Sequence, residues 1–299
     1  MTRFAPIAAA GALALLSCAR AEPPAGPAAG DVGALHRAIN AAKRGATVAV
    51  PAGRYDITDL RIERDLALIG EGEVVFFSSG KVEKGLLVPG WDVSLRVENI
   101  TFRDAESWDQ NGAGIRHDGA DLTIVNCRFI GNEDGVLATG DEKGAIEIAH
   151  SDFIDNGYGD GYSHGVYVSS GASLTITDSR FVGTRVGHHV KSLAATTVIT
   201  GVAFDDAEGR TSYSVDVSRG GDLTVADSSF VKAANADNPT LINYDISRGG
   251  EAKALRITGN RIVNRNPWGR LLRNDTPLKP VIQGNDVANE GRGRFRLEG

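Results

Sequence analysis

The chain has 299 residues, 41% of them apolar and 23% charged, with a formal net charge of −6. That length supplies one large domain or two ordinary ones, and the composition excludes collagen, a disulfide scaffold and a charged disordered chain. The 37 glycines, close to twice the usual share, predict frequent turns rather than long helices, and the acidic balance argues against nucleic acid as a partner.

In chain order, Arg3 precedes an apolar run from Phe4 to Cys18 that is shorter than the ~18–20 residues of a membrane span. Residues 1–21 read as a secretory signal. Leu15-Leu16-Ser17-Cys18 resembles a bacterial lipobox, which would make Cys18 a lipidated first residue. Ala19-Arg20-Ala21 resembles an ordinary signal-peptidase site. Both exits predict an exported protein, either periplasmic or secreted, and the first makes it an outer-membrane lipoprotein. Membrane contact is expected only through that lipid, and the protein is expected to be a monomer. Cys127 is then the only thiol available for pairing, so no internal disulfide is predicted. Residues 22–30 are a Pro/Ala/Gly tether.

Ala34–Arg44 has the pattern of an amphipathic helix, with Leu35, Ile39 and Ala42 near one face. GATVAVPAGRYD (Gly45–Asp56) and LALIGEG (Leu66–Gly72) follow as strand-like segments.

An eight-residue register then recurs: apolar, x, apolar, x, turn residue, x, x, large apolar. Its copies are Leu95–Phe102, Leu122–Phe129, Ile146–Phe153, Leu174–Phe181, Thr197–Phe204, Leu223–Phe230, Leu255–Ile262 and Pro280–Val287, at steps of 23 to 32 residues. The alternation is that of a strand with one buried face. Asn99, Asn126, His150, Asp178, Gly201, Asp227, Gly259 and Gly284 hold the fifth position. These residue types tolerate positive φ, which predicts a left-handed bend in every copy. Short strands and bends at a variable period near 26 are the signature of a parallel β-solenoid. About nine coils at ~4.8 Å would make one rod ~45 Å long over residues 31–290, with 291–299 as a tail.

The entry segment, a helix followed by Gly-x-x-Val-x-Val-Pro-x-Gly-x-Tyr and a Gly-rich coil, resembles that of right-handed parallel β-helix proteins of the pectate-lyase superfamily. The resemblance covers Asp31 to Val287. It implies a single-domain, all-β right-handed β-helix whose N-terminal helix caps the first coil and shields an open sheet edge. That superfamily holds polysaccharide lyases, hydrolases and epimerases as well as non-catalytic members, so fold leaves function open.

Before most copies of the register lies another short strand. Setting Ile115, Val136, Val166, Val190, Val215 and Ile242 inward exposes Arg116, Leu137, Tyr167, His189 with Lys191, Asp216 and Asn243 on consecutive coils. His164 and His188 flank this row and Tyr213 precedes Asp216. Arg180, Arg185, His188, His189 and Lys191 form a basic stretch in an acidic chain, which points to an anionic ligand. The row reads as a groove for an extended uronic-acid polysaccharide. Elimination needs a cation for the carboxylate, a base for the neighbouring ring proton and an acid for the leaving oxygen. Arg116 or Arg185 would serve first, Lys191 or alternatively His188 second, and Tyr167 or His164 third. His189, Asp216, Tyr213 and Asn243 would bind substrate.

The same residues also fit a solvated face, with Lys191–Asp216 as a surface ion pair worth ~0–1 kcal/mol. His164, His188 and His189 lack a metal-ligand spacing, and no metal is assigned to them. The resemblance to polysaccharide lyases of this shape makes Ca²⁺ a candidate cofactor through Glu133, Asp134, Asp141, Asp155 and Asp160. A polygalacturonase would place paired aspartates before Gly-His-Gly, whereas Asp205-Asp206 follow Gly187-His188-His189. Tyr158-Gly159-Asp160 and Ser163-His164-Gly165 resemble mannuronan C5-epimerases, but their Asp-Pro-His-Asp is missing. Two functions are carried forward. One is a lyase or epimerase working by C5 proton abstraction; the other is a non-catalytic carbohydrate-binding or structural envelope protein.

Overall fold

The computed structural model describes residues 29–139, 142–208 and 210–298. The predicted signal peptide, Cys18 and most of the tether lie outside the described residues. The rest winds into a parallel β-helix of about nine turns. Among the described residues one sheet has seventeen strands and the other has ten. The first register position forms a continuous column in which Leu122, Ile146, Leu174, Thr197, Leu223 and Leu255 pair in parallel, coil on coil.

The bend explains the division of strands. All eight fifth-position residues have φ between 46° and 67°, so each coil's strand breaks in two, as in Leu122–Val125 and Arg128–Ile130. The break turns the sixth and eighth residues inward. At the eighth, Phe102, Phe129, Phe153, Phe181, Phe204 and Phe230 stack near-parallel at 4.5–5.3 Å between centroids. Ring stacking and strand spacing match, so each coil adds one ring to the same column. Phe76 and Tyr55 extend the column edge-on at its N-terminal end.

The sixth position forms a hydrogen-bonded ladder. The Cys127 N–H donates to Ser151 Oγ, and the Ser151 N–H donates to Ser179 Oγ, each at 3.1 Å. Cys127 is thus a buried member of a structural column.

The helix runs Val32–Ala41, beginning two residues earlier than predicted because Asp31 Oδ1 accepts the Ala34 N–H at 2.8 Å as an N-cap. Leu35 and Ile39 are buried against the first coil. Ala42 is already extended, which ends the helix short of Arg44. Both chain-end readings need adjusting. Ala29 bridges Arg54 within the first coil, and Arg296–Glu298 pairs with the strand Arg270–Asn274 as the last strand of the ten-stranded sheet.

The ten-stranded sheet stacks the predicted row in register, although Leu137, Asp216 and Asn243 are buried rather than exposed. Arg116 pairs with Leu137, Leu137 with Tyr167, Tyr167 with Lys191, Lys191 with Asp216 and Asp216 with Asn243. Arg273 continues it by one coil.

Candidate active site

Each coil enters the ten-stranded sheet through a loop at one corner of the rod, and three of these loops interlock. The backbone N–H of His188 donates to His164 Nδ1 at 3.1 Å, and the N–H of Tyr213 donates to His188 Nδ1 at 3.2 Å. The two imidazoles stack at 4.8 Å with planes 8° apart. Because each Nδ1 accepts, each neutral ring carries its proton on Nε2. His188 Nε2 faces Asp216 Oδ2 at 3.7 Å. Burial, then the positive charges of Lys191 and Lys232, depress His188 to about 3.

This arrangement argues against two expected roles. His188 is neutral near pH 7 with its acceptor nitrogen occupied, so it has no lone pair to serve as the base. His164 is fully buried and cannot reach a bound polymer to protonate it. Its pKa lies well below the usual range through burial, the His188 ring and Lys191. Both histidines instead hold the loop carrying Tyr213.

Beside them the outward row changes character. Lys191 Nζ lies 5.1 Å from the centre of the Tyr167 ring. Lys191 does not pair with Asp216, its register neighbour, because the Asp216 carboxylate is taken by the Asn243 side-chain amide at 2.7 Å. Burial lowers the Lys191 pKa; Asp216 opposes this and Arg248 reinforces it. Burial likewise raises the Tyr167 phenol and Asp216, the latter against the Asn243 hydrogen bond and Lys191. The result is an amine pushed toward its neutral form beside a phenol that keeps its proton.

A cleft of about 540 Å³ opens over this row, lined among others by Lys191, Tyr213, Asp216, Asn243, Arg248 and Arg273. Arg273 Nη1 reaches the Tyr213 hydroxyl at 3.4 Å and also pairs with Asp275. The Arg248 guanidinium has no carboxylate partner among the described residues. Asn243 Nδ2 also donates to Asp245 Oδ2 at 2.7 Å. Asp245 in turn accepts the Ser247 N–H and hydroxyl, which fixes the turn that presents Arg248.

His189 is the clear misplacement. Alternation from Val190 sets it outward, yet it is fully buried. It occupies the inward corner position held in earlier coils by Gly114, Gly135 and Gly165, where a Cβ would strike the next coil's carbonyl oxygen and crowd a ring of the phenylalanine column. Its imidazole lies 6.1 Å from the Phe181 ring and 5.8 Å from Phe204. Thr184 Oγ1 contacts Nδ1 at 2.7 Å, and Asp206 Oδ1 lies 3.2 Å from Nε2. Asp206 pairs with the equally buried Lys232 at 3.2 Å. Burial opposes ionisation of Asp206, but Lys232 and His189 together hold it below the usual carboxylate range.

Among the other expected residues, Arg116 stands in the row and pairs with Asp118 at 3.1 Å. Arg185 is exposed on its loop, and it is Arg248 whose charge acts on Lys191 and Tyr167. Sequence reasoning missed Arg248, Asp245, Ser247 and Arg273. Asp245-x-Ser247 before Gly249-Gly250 is a readable turn signal. Arg273 was hidden because Leu271 and Leu272 are both apolar, which blurs the alternation.

Among the described residues, Glu133, Asp134, Asp155 and Asp160 do not gather into a Ca²⁺ site. Glu133 Oε2 is occupied by the Ser107 and Gly112 N–H groups, and Asp134 Oδ1 by the His164 N–H. Asp141 lies outside the described residues. Among the described residues no three His, Cys, Asp or Glu side chains gather to hold a metal ion.

No protein-family model matches the sequence, and no curated protein matches it. Among solved structures, the alginate lyase from Paenibacillus sp. str. FPU-7 superposes with a TM-score of 0.59 at 11% identity, covering 89% of this chain and 95% of its own. The PL6 family alginate lyase AlyGC superposes with a TM-score of 0.59 at 16% identity, covering 88% of this chain and 39% of its own. At these identities the likeness is one of fold, and this chain is a parallel β-helix protein of the same architecture as those enzymes.

Proposed function

We propose that the protein is a polysaccharide lyase acting on a uronic-acid polymer outside the cytoplasm. The observation carrying this reading is Lys191, a half-buried ammonium with no carboxylate partner among the described residues, which lines a polar cleft and lies over the ring of Tyr167. Neutral Lys191 takes the proton from C5 of the sugar beside its carboxylate. The released electron pair forms the C4–C5 double bond, the C4–oxygen bond breaks, and Tyr167 donates its phenolic proton to the leaving oxygen. Arg248 and Arg273 supply positive charge for the carboxylate, which stabilises the enolate-like charge that develops there. The alginate lyase activity named for the two structural neighbours, which is action on an acidic polymer, supports the substrate class. A C5-epimerase would share the first step and return the proton to the opposite face.

The test is a screen of the exported chain against alginate, pectate, glucuronan and glycosaminoglycans, following the ultraviolet absorbance of unsaturated product. Lys191→Ala and Tyr167→Phe should each lower the rate at least a hundredfold. Wild-type rates in both would overturn the mechanism. Saturable binding with neither cleavage nor C5 inversion would favour the non-catalytic alternative. Labelled-lipid incorporation lost in Cys18→Ser would identify the lipoprotein exit.

A further inference from the structure

The chain has three tryptophans, and all three are exposed: Trp91 by 74%, Trp108 by 85% and Trp268 by 77%. Tryptophan is on average a heavily buried residue, so this distribution calls for a cause. Trp108 and Trp268 share a location that Trp91 lacks. Both stand on loops at the corner where coils enter the ten-stranded sheet, the corner that also carries His164, His188 and Tyr213. Trp108 precedes the strand Ala113–His117, and Trp268 precedes Arg270–Asn274. Trp91 lies at the opposite corner, after Gly85–Pro89.

Both loops are braced. Buried Glu133 accepts the N–H groups of Ser107 and Gly112 at 2.9 and 2.7 Å, clamping the two ends of the Trp108 loop, and Ser107 Oγ accepts the Asn111 N–H at 2.8 Å. On the other loop, Asn266 Oδ1 accepts the Trp268 N–H at 3.0 Å while Asn264 Nδ2 donates to the Asn266 carbonyl at 2.8 Å. A braced loop loses little backbone freedom on binding, which is what a stacking platform needs. Both have cationic company. Lys81 Nζ lies 5.7 Å from the Trp108 ring centre. Trp268 shares a cleft of about 910 Å³ with Arg294 and Arg296.

Their spacing is symmetrical about Lys191. Counting strands of the ten-stranded sheet from Ala113–His117 to Arg270–Asn274, Val190–Ser192 is the middle one of seven. Each tryptophan therefore lies three coils from Lys191, ~14 Å along the axis, and the pair span ~29 Å.

We propose that Trp108 and Trp268 are distal sugar platforms that hold an acidic polysaccharide along the rod, one toward each end of a track centred on Lys191. The assignment rests on the uronic-acid reading of the central cleft and adds to it that the polymer is gripped in mid-chain. An indole face takes the apolar side of a sugar ring, and the adjoining Lys81 or Arg294 and Arg296 take its carboxylate.

The experiment measures binding of sodium alginate and polygalacturonate, as polymers and as trisaccharides, to the full exported chain carrying Lys191→Ala to prevent turnover. In that background Trp108→Ala and Trp268→Ala should each weaken polymer binding about five- to tenfold and leave trisaccharide binding unchanged. Trp91→Ala should match its parent. Trp268→Phe, which keeps a ring, should recover most of the loss, separating stacking from a folding defect. Polymer affinity unchanged in both alanine variants, or lowered equally by Trp91→Ala, overturns the platforms while leaving the central site standing. Absence of binding to either polymer by the folded parent overturns the proposal together with the reading of these acidic polymers as ligands.

Discussion

Lys191 Nζ sits 5.1 Å from the ring centre of Tyr167 and leaves Asp216, its register neighbour on the next coil, to Asn243. An exposed Lys–Asp pair would have been worth at most ~1 kcal/mol. Here the ammonium is instead partly desolvated against an aromatic face, and its proton is easier to remove.

The pH profile follows from these two groups. Lys191 must be neutral to act, and burial lowers its pKa from 10.5, so activity should rise with pH through a shifted lysine titration. Tyr167 must keep its proton, and burial raises its pKa from 10.0, so activity should fall only at higher pH. Asp216 holds the Lys191 pKa up; Asp216→Asn should therefore move the alkaline-rising limb to lower pH. A limb that stays in place, read from kcat/KM against pH, would remove Lys191 as its source.

Acid should weaken the fold in a defined window. Burial lowers the pKa of His117, His164, His188 and His189, and His188 reaches about 3. The unfolded chain then binds more protons than the folded one from about pH 6.5 downward. Stability present above that pH is lost as pH falls toward 3, at up to about 1.4 kcal/mol per pH unit for each group. Asp134 and Asp216, whose pKa values burial raises, act in the opposite sense from those raised values down to about 3.8. His188→Asn keeps an acceptor for the Tyr213 N–H and should flatten the fall of Tm between pH 6.5 and 3. An unchanged slope would show that His188 titrates normally.

The loop preceding His188 is strained. Val186 is a β-branched residue at φ 63°, a conformation it adopts only under constraint. The constraint is local: at Gly187 a Cβ would lie 1.8 Å from the Ser163 carbonyl oxygen. Val186→Gly should raise stability by about 1 kcal/mol or leave it level. Gly187→Ala should cost more than 2 kcal/mol and release the His164–His188 stack. Urea unfolding of the two variants measures both, and equal stabilities would contradict the strain.

Cys127 should be chemically silent in the folded protein. Burial pushes its thiol up to about 12, and the next two coils of the column carry Ser151 and Ser179. A thiol reagent should label it only on unfolding, and Cys127→Ser should cost no more than ~1–2 kcal/mol because the next two coils already carry serine there. Rapid labelling of the native chain would contradict the burial.

Two sequence signals were local, and both carried through to three dimensions. Alternation at the first and third positions and αL-tolerant residues at the fifth depend on backbone preferences within eight residues. They placed the strands, the bends and six rings of the phenylalanine column. The same alternation put Arg116, Tyr167, Lys191, Asp216 and Asn243 in one outward row, because a strand alternates faces whatever it packs against.

The corner between the sheets obeys no such rule, and the sequence reading failed there. His189 turns inward because a corner residue's direction depends on the space beneath it, and that space is bounded by Asp206 and Lys232 from later coils. Which histidine is reachable, which nitrogen holds its proton and which arginine faces Lys191 were likewise decided by contacts between coils. The sequence by itself therefore determined a glycine-rich rod of stacked coils with one chemically unusual face, since local conformational preference sets the repeat. Only the tertiary structure brought Lys191 and Arg248 to one cleft with Tyr167 beside Lys191, because burial and neighbouring charge are properties of the stack rather than of any single coil.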